Sequence, residues 1–267
     1  FAGSQAVVAS GTQTLAGGGG RPTMLAPETG YKLAFMHESA GALQSAVVVA
    51  DGFTTPALLV GEANGGGAST TNPTVASSAG VAVEIGDLIF AVNVGQTSTV
   101  TVGTVTDNLG NTYLPLGDGT VNSTIATRAY YSIATVAGTL TAVNFADTAS
   151  SNDVVVEAIV YKGPFAAIDV NGTDRTDNTS SYTSNATGTL GSANVLVVTW
   201  LGGAAAGDPF TVNSPWILAG TVLSGGVRRL VIAHQNPQST DSLTGSFDGA
   251  ATGGLCVIGI ASFQRAV

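Results

Sequence analysis

The chain has 267 residues, 9% of them charged and 44% hydrophobic, with 36 glycines and a formal net charge of −9. Ordinary globular domains carry about 25% charged residues. Eight Lys and Arg against 17 Asp and Glu exclude a phosphate-backbone binder or an anionic-membrane binder as the main role, because both need clustered cations. The one adjacent basic pair, Arg228-Arg229, reads as part of a strand with one side chain outward.

Taken in chain order, residues 1–80 read as an extended N-terminal arm and linker. The start at Phe1 rather than Met fits a removed leader, a proteolytic maturation or a sequence that continues upstream. Gly17-Gly18-Gly19-Gly20 is a flexible break, and Arg21-Pro22 with Ala26-Pro27 keeps the next stretch extended. Apolar clusters follow at Leu33–Met36, Ala46–Ala50 and Ala57–Val60, with Asp51-Gly52 as a hairpin-type turn. Asn64–Pro73, rich in Gly, Ser and Thr, reads as a linker.

From Val81 onward the period is two, as in strands with alternate faces, and no amphipathic helix is legible. Asp107–Thr112, Gly117-Asp118-Gly119 and Asn171-Gly172 are turn signals. The order of signals then repeats. Leu88–Val92, Val105-Thr106-Asp107, Arg128–Tyr131, Leu140–Phe145 and Val154–Tyr161 make the first copy. Asn194–Val198, Val212–Trp216, Arg228–Ile232, Leu243–Phe247 and Leu255–Ala261 make the second. The offset, roughly 100–107 residues, is too long for a solenoid repeat. The expected fold is all-β, a jelly-roll-like antiparallel β-sandwich built from two related halves, about 81–170 and 190–267, on one core of eight to ten strands. Asp174–Thr189 is expected to run between the halves along the surface.

In this doubled region the chain resembles a broad family of β-sandwich modules found in tailed-phage structural proteins and bacterial surface proteins. The residues that carry the resemblance are the strand opening Gly86-Asp87-Leu88, the turn Val105–Tyr113, the pair Tyr130-Tyr131 and the strand end Tyr161-Lys162-Gly163. Pro215-Trp216 and the ending Ile258–Phe263 carry it in the second half, whose opening Ala193-Asn194-Val195 lacks the Gly-Asp of the first. The resemblance covers residues 81–265. It implies surface display or virion attachment and no catalytic residues.

Side chains for covalent chemistry are few. The two histidines, His37 and His234, lie in the arm and at a strand end; His234 reads as a solvent-edge residue without the partners a nucleophile–base–orienter set needs. Cys256, the single cysteine, reads as a buried small hydrophobe. No metal ligand set and no cofactor fingerprint is recognised. Calcium, which favours carboxylate and carbonyl oxygens on turns, has two weak candidate clusters, Asp107 with Asn108 and Asn111, and Asp174 with Asp177; turn formation explains both. Glycoside hydrolysis needs two facing carboxylates. Of those in strands (Glu84, Asp153, Glu157), Glu157 is open to a cleft position. Strict alternation instead puts it on a face with Val155 and Ile159 as a buried or interface carboxylate, and a structural role is preferred to a catalytic one. Trp200, Trp216 and Tyr182 are weak candidates for stacking on a glycan; Trp200, which ends an apolar strand, and Trp216, which follows a Pro, read first as core or sandwich-end residues.

The functional expectation is therefore a non-enzymatic structural protein on a virion surface, a capsid decoration (cement) or head-fibre protein held through its arm. Its partners would be the major capsid protein or copies of itself, a homo-oligomer within a larger assembly, with neither nucleic acid nor membrane insertion. The alternatives are an extracellular cell-surface or filament subunit that exchanges strands through the arm, and a glycan-binding module.

Overall fold

Val195–Gly203 is buried at all nine of its positions. Successive side chains of a strand point to opposite faces, so a strand buried throughout is covered on both faces. That one fact organises the molecule. The computed structural model describes residues 74–96, 103–116, 125–146, 151–177, 181–192, 194–203, 210–224, 228–237, 239–249 and 256–266, together with seven short strands nearer the N-terminus.

The chain divides into two compact units, Phe1–Ala57 and Leu58–Val267. In the first, β2 (Lys32–Phe35) pairs antiparallel with β1 (Val7–Val8) and β5 (Val48–Ala50), and β3 (Glu38–Ser39) pairs with β4 (Ala42–Leu43). The rest of the expected arm lies outside the described residues, including the Asp51-Gly52 turn. The boundary expected at residue 80 falls inside a strand: β8 (Thr74–Val83) is a full member of the sandwich.

The second unit continues β6 (Ala57–Leu59), β7 (Ser69–Thr70), β8, β9 (Leu88–Gln96), β10 (Thr104–Asp107), β11 (Leu114–Pro115), β12 (Ala126–Ile133), β13 (Gly138–Ala146) and β14 (Ser151–Tyr161). Then come β15 (Phe165–Asp177), β16 (Ser181–Thr183), β17 (Val195–Gly203), β18 (Phe210–Val212), β19 (Ile217–Ser224), β20 (Arg228–Gln235), β21 (Ser246–Gly249) and β22 (Cys256–Arg265). The large sheet of the first half runs β11-β12-β9-β14, with β6 and β7 on its outer edge, and the small sheet runs β10-β13-β8. The second half repeats both orders eight strands later: β19-β20-β17-β22, extended by β15, and β18-β21-β16. The pairings of the described sandwich strands β8–β22 are antiparallel. The duplication legible in the sequence is thus a duplication of topology, strand for strand.

One element of the expectation changes. The two halves do not share a single core between two sheets; each half has its own large and small sheet, and the two large sheets face each other. In the second half, Val197, Leu201, Val231 and Ile258 pack with Tyr182 of β16 and Phe247 of β21. In the first, Tyr130 of β12 meets Phe145 of β13 edge to face at 6.1 Å. Between the halves, Leu88, Phe90 and Ile159 pack with Leu196, Trp200 and Phe263. Phe90 touches both Trp200, at 5.4 Å, and Phe263, at 6.3 Å.

The halves also divide earlier than expected. β15 pairs with β22 and belongs to the second half, so the first half closes near Tyr161 rather than at residue 170. The turn expected at Asn171-Gly172 is instead inside β15, where the two pair with Ala261 and Ile260, and the segment expected as a surface connection holds the end of β15 and all of β16. Register shifts at three places along β15 break the two-residue period, which hides this edge strand from pattern reading.

Candidate functional site

Two turns of the first half are built around carboxylates. Asp107 ends β10, where its Oδ1 accepts the backbone N–H groups of Leu109, Gly110 and Asn111 at 2.9, 2.7 and 3.0 Å. Its Oδ2 accepts from Asn111 Nδ2 and Tyr113 Oη, both at 3.0 Å. Burial, and then the charge of Asp107, push the Tyr113 phenol well above its ordinary pKa. The neighbours are committed too. Asn111 Oδ1 accepts from Thr135 N and Val136 N, and Asn108 Oδ1 accepts from Thr141 N and Ala142 N. The cluster weighed as a calcium site is therefore an anchor that ties one turn to the β12–β13 turn and to β13. The side chains of Asp174 and Asp177 lie outside the described ones.

The second carboxylate joins two motifs that the sequence keeps 75 residues apart. Asp87 is 3% exposed; its Oδ1 accepts Gly163 N at 2.8 Å, and its Oδ2 accepts Glu84 N at 2.9 Å and Lys162 Nζ at 3.0 Å. Lys162 also donates to the Ala82 carbonyl. Gly86, at φ 93°, lets its carbonyl accept Phe165 N at 2.8 Å. The Gly-Asp-Leu opening and the Tyr-Lys-Gly ending thus lock into each other, and Glu84 is exposed. In the second half, loops are tied by hydroxyls instead: Ser184 Oγ accepts Gly245 N at 2.7 Å and Thr187 Oγ1 accepts Leu243 N at 3.1 Å.

The three rings weighed for glycan stacking are core residues. Trp200 and Tyr182 are 1% exposed and Trp216 is 8% exposed; Trp216 Nε1 donates to the Thr244 carbonyl at 3.1 Å. Trp200 lies between the halves, and the other two lie inside the second half. No ring face among them is open to a sugar, so the stacking assignment is withdrawn. Cys256 is buried in the same second-half core.

His234 is corrected in the same way. It is 5% exposed, not at a solvent edge, and its ring meets the Tyr161 ring at 5.5 Å across the layer between the halves. Burial and the nearby Arg265 guanidinium lower its pKa to about 4. Arg265 donates to the Lys162 carbonyl and Asn236 Oδ1 and lies 5.0 Å over the Phe165 ring. Glu157 is fully buried in this layer beside Val155 and Ile159, as alternation requires. Neither of its oxygens has a hydrogen-bond partner, nor do Tyr161 Oη, His234 Nδ1 and Trp200 Nε1. Burial raises the Glu157 carboxyl to about 8, and burial together with Glu157 raises Tyr161 well above its usual range. At neutral pH Glu157, Tyr161 and His234 are thus uncharged polar groups, with the Arg265 guanidinium beside His234.

One small cavity opens between the sheets of the first half, beside Asn93, Thr104, Arg128 and Phe145; its volume is about 10 Å³, room for a single water. Among the described residues no three His, Cys, Asp or Glu side chains are grouped to hold a metal, and no helix is long and apolar enough to cross a membrane. His37 and the Asp153 side chain lie outside the description. No family model, curated protein or solved structure matches the chain.

Proposed function

We propose that the chain is a structural protein carried on the exterior of a larger assembly, with the doubled sandwich as its outer body and the residues before Leu58 as its attachment segment. One observation carries the reading. The polar side chains held most firmly, Asp107, Asn108, Asn111 and Asp87, are engaged with the backbone of the chain's own turns. Turns tied in this way resist the local opening that precedes proteolysis, as suits a body standing in the open. The resemblance to phage and bacterial surface modules gives the setting. On this proposal the assembly is a tailed-phage virion, and the chain is its capsid decoration or head-fibre protein. The attachment segment grips the major capsid protein, and repetition over the lattice multiplies a weak single contact.

The test is co-sedimentation with shells of the particle of origin, using the 267-residue chain and a version that starts at Leu58. The longer chain is expected to pellet with the shells. The shorter one should keep a cooperative unfolding transition and stay in solution. A truncated protein that still binds shells removes the attachment role from residues 1–57. Filaments formed by the isolated chain, without shells, replace the decoration reading with a filament subunit.

A further inference from the structure

The least expected feature of the molecule is a carboxyl group at 0% exposure in the layer that joins its halves. β14, which carries it, packs over β19 and β20 of the other half. We propose that this layer is a protonation-dependent lock, closed while the Glu157 carboxyl carries its proton and loosened when that proton is lost. A buried carboxylate without a hydrogen-bond partner is far costlier than the neutral acid, and both Glu157 oxygens lack one.

Among the described side chains none set against Glu157 carries a compensating charge. On β14 the same face carries Val155, Ile159 and Tyr161; β9 adds Phe90, Val92 and Val94; β19 adds Ala219 and Val222. Alternate positions on β20 run Arg228, Leu230, Ile232 and His234; the Arg228 side chain lies outside the described ones. Tyr131 of β12 packs against this layer, and Arg265 of β22 contacts Phe165, Lys162 and Asn236 at its end. Arg128 borders the cavity inside the first half, and Arg229 lies over the Phe210 ring in the second. Among these described side chains the ionised carboxylate would have no hydrogen-bond donor and no cation to hold it.

Two buried groups then set opposite slopes. Glu157 binds its proton more tightly folded, with a pKa of about 8, than unfolded, at 4.5. It therefore lowers the folding equilibrium constant about tenfold per pH unit between those values. His234 is the reverse, about 4 folded and 6.5 unfolded, and raises the constant about tenfold per unit between them. Between pH 4.5 and 6.5 the slopes cancel. From 6.5 to 8 only the fall remains, about 30-fold in total. Tyr161, pushed above its usual range, stays protonated throughout.

The experiment is urea unfolding of the 267-residue chain from pH 4 to 9, beside Glu157→Gln. The wild type should hold level and then lose about 30-fold in folding constant above pH 6.5. Glu157→Gln should rise up to about pH 6.5 and then stay level, because only the His234 slope survives. A flat wild type from pH 6.5 to 8, or a Gln variant that keeps the fall, overturns the proposal. Infrared spectra of the wild type need no variant. A protonated-carboxyl C=O band present at pH 7 and lost by pH 9 supports the lock, and its absence at pH 7 refutes it. Failure of shell binding in the earlier test leaves these outcomes untouched, so the two readings fail separately.

Discussion

Asp107 shows how much one side chain can hold. Its two oxygens accept five hydrogen bonds, three of them from consecutive backbone N–H groups. Asp107→Ala leaves those donors without an acceptor and should cost about 3 kcal/mol, since each stranded partly buried group costs about 1–3 kcal/mol. Chemical unfolding measures it; a loss under about 1 kcal/mol would mean that water replaces the carboxylate. Asp87 and Lys162 separate two contributions in one ion pair. Lys162→Met takes the ammonium from a largely buried carboxylate that keeps two backbone N–H donors, and should cost about 1 kcal/mol. Asp87→Ala also deprives Gly163 N and Glu84 N of their acceptor and should cost about 2–3 kcal/mol. Equal losses would place the energy in the ion pair rather than in the turn. At this scale the sequence was a good guide where chemistry is local. Asp, Asn and Gly in a turn say what they do, because their partners lie a few residues away. It misled at His234, whose ring meets Tyr161 of the first half, while the core reading of Trp200 holds.

At the scale of the strand, the repeated sheet order was legible because turn and strand signals recur in the same sequence. The number of cores was not read from them, although a signal existed. Leu88–Val92, Val155–Tyr161 and Val195–Leu201 are apolar runs with almost no polar alternation. A strand facing water on one side would alternate; these are covered on both. Glu157 stands out for the same reason, as a carboxylate inside such a run. Gly202 shows the cost of that double cover. A Cβ there would run into Val94 and approach Thr127 Oγ1 at 2.7 Å, so the first half rests directly on the β17 backbone. Gly202→Val should destabilise by about 1–3 kcal/mol through overpacking. A smaller loss in the double variant Gly202→Val with Val94→Ala, measured as a mutant cycle, would place the clash between the halves; strict additivity would place it elsewhere.

Across the unit Leu58–Val267, two small sandwiches with thin outer sheets pack together by facing their large sheets inward. Three apolar layers result, and the middle one holds the largest buried ring, Trp200. The polar chemistry of the described residues is turned on the chain's own turns and on the joint between halves, so function is a proposal at the level of a class. The sequence resemblance supplies the setting, and the proposed exterior role is the central claim. Cryo-electron microscopy of the particle from which the chain comes tests it most directly. The account predicts doubled sandwiches standing outside an icosahedral shell, with residues before Leu58 running to the capsid subunits. A helical thread of sandwiches joined through their N-terminal strands, or a shell without this density, would contradict it.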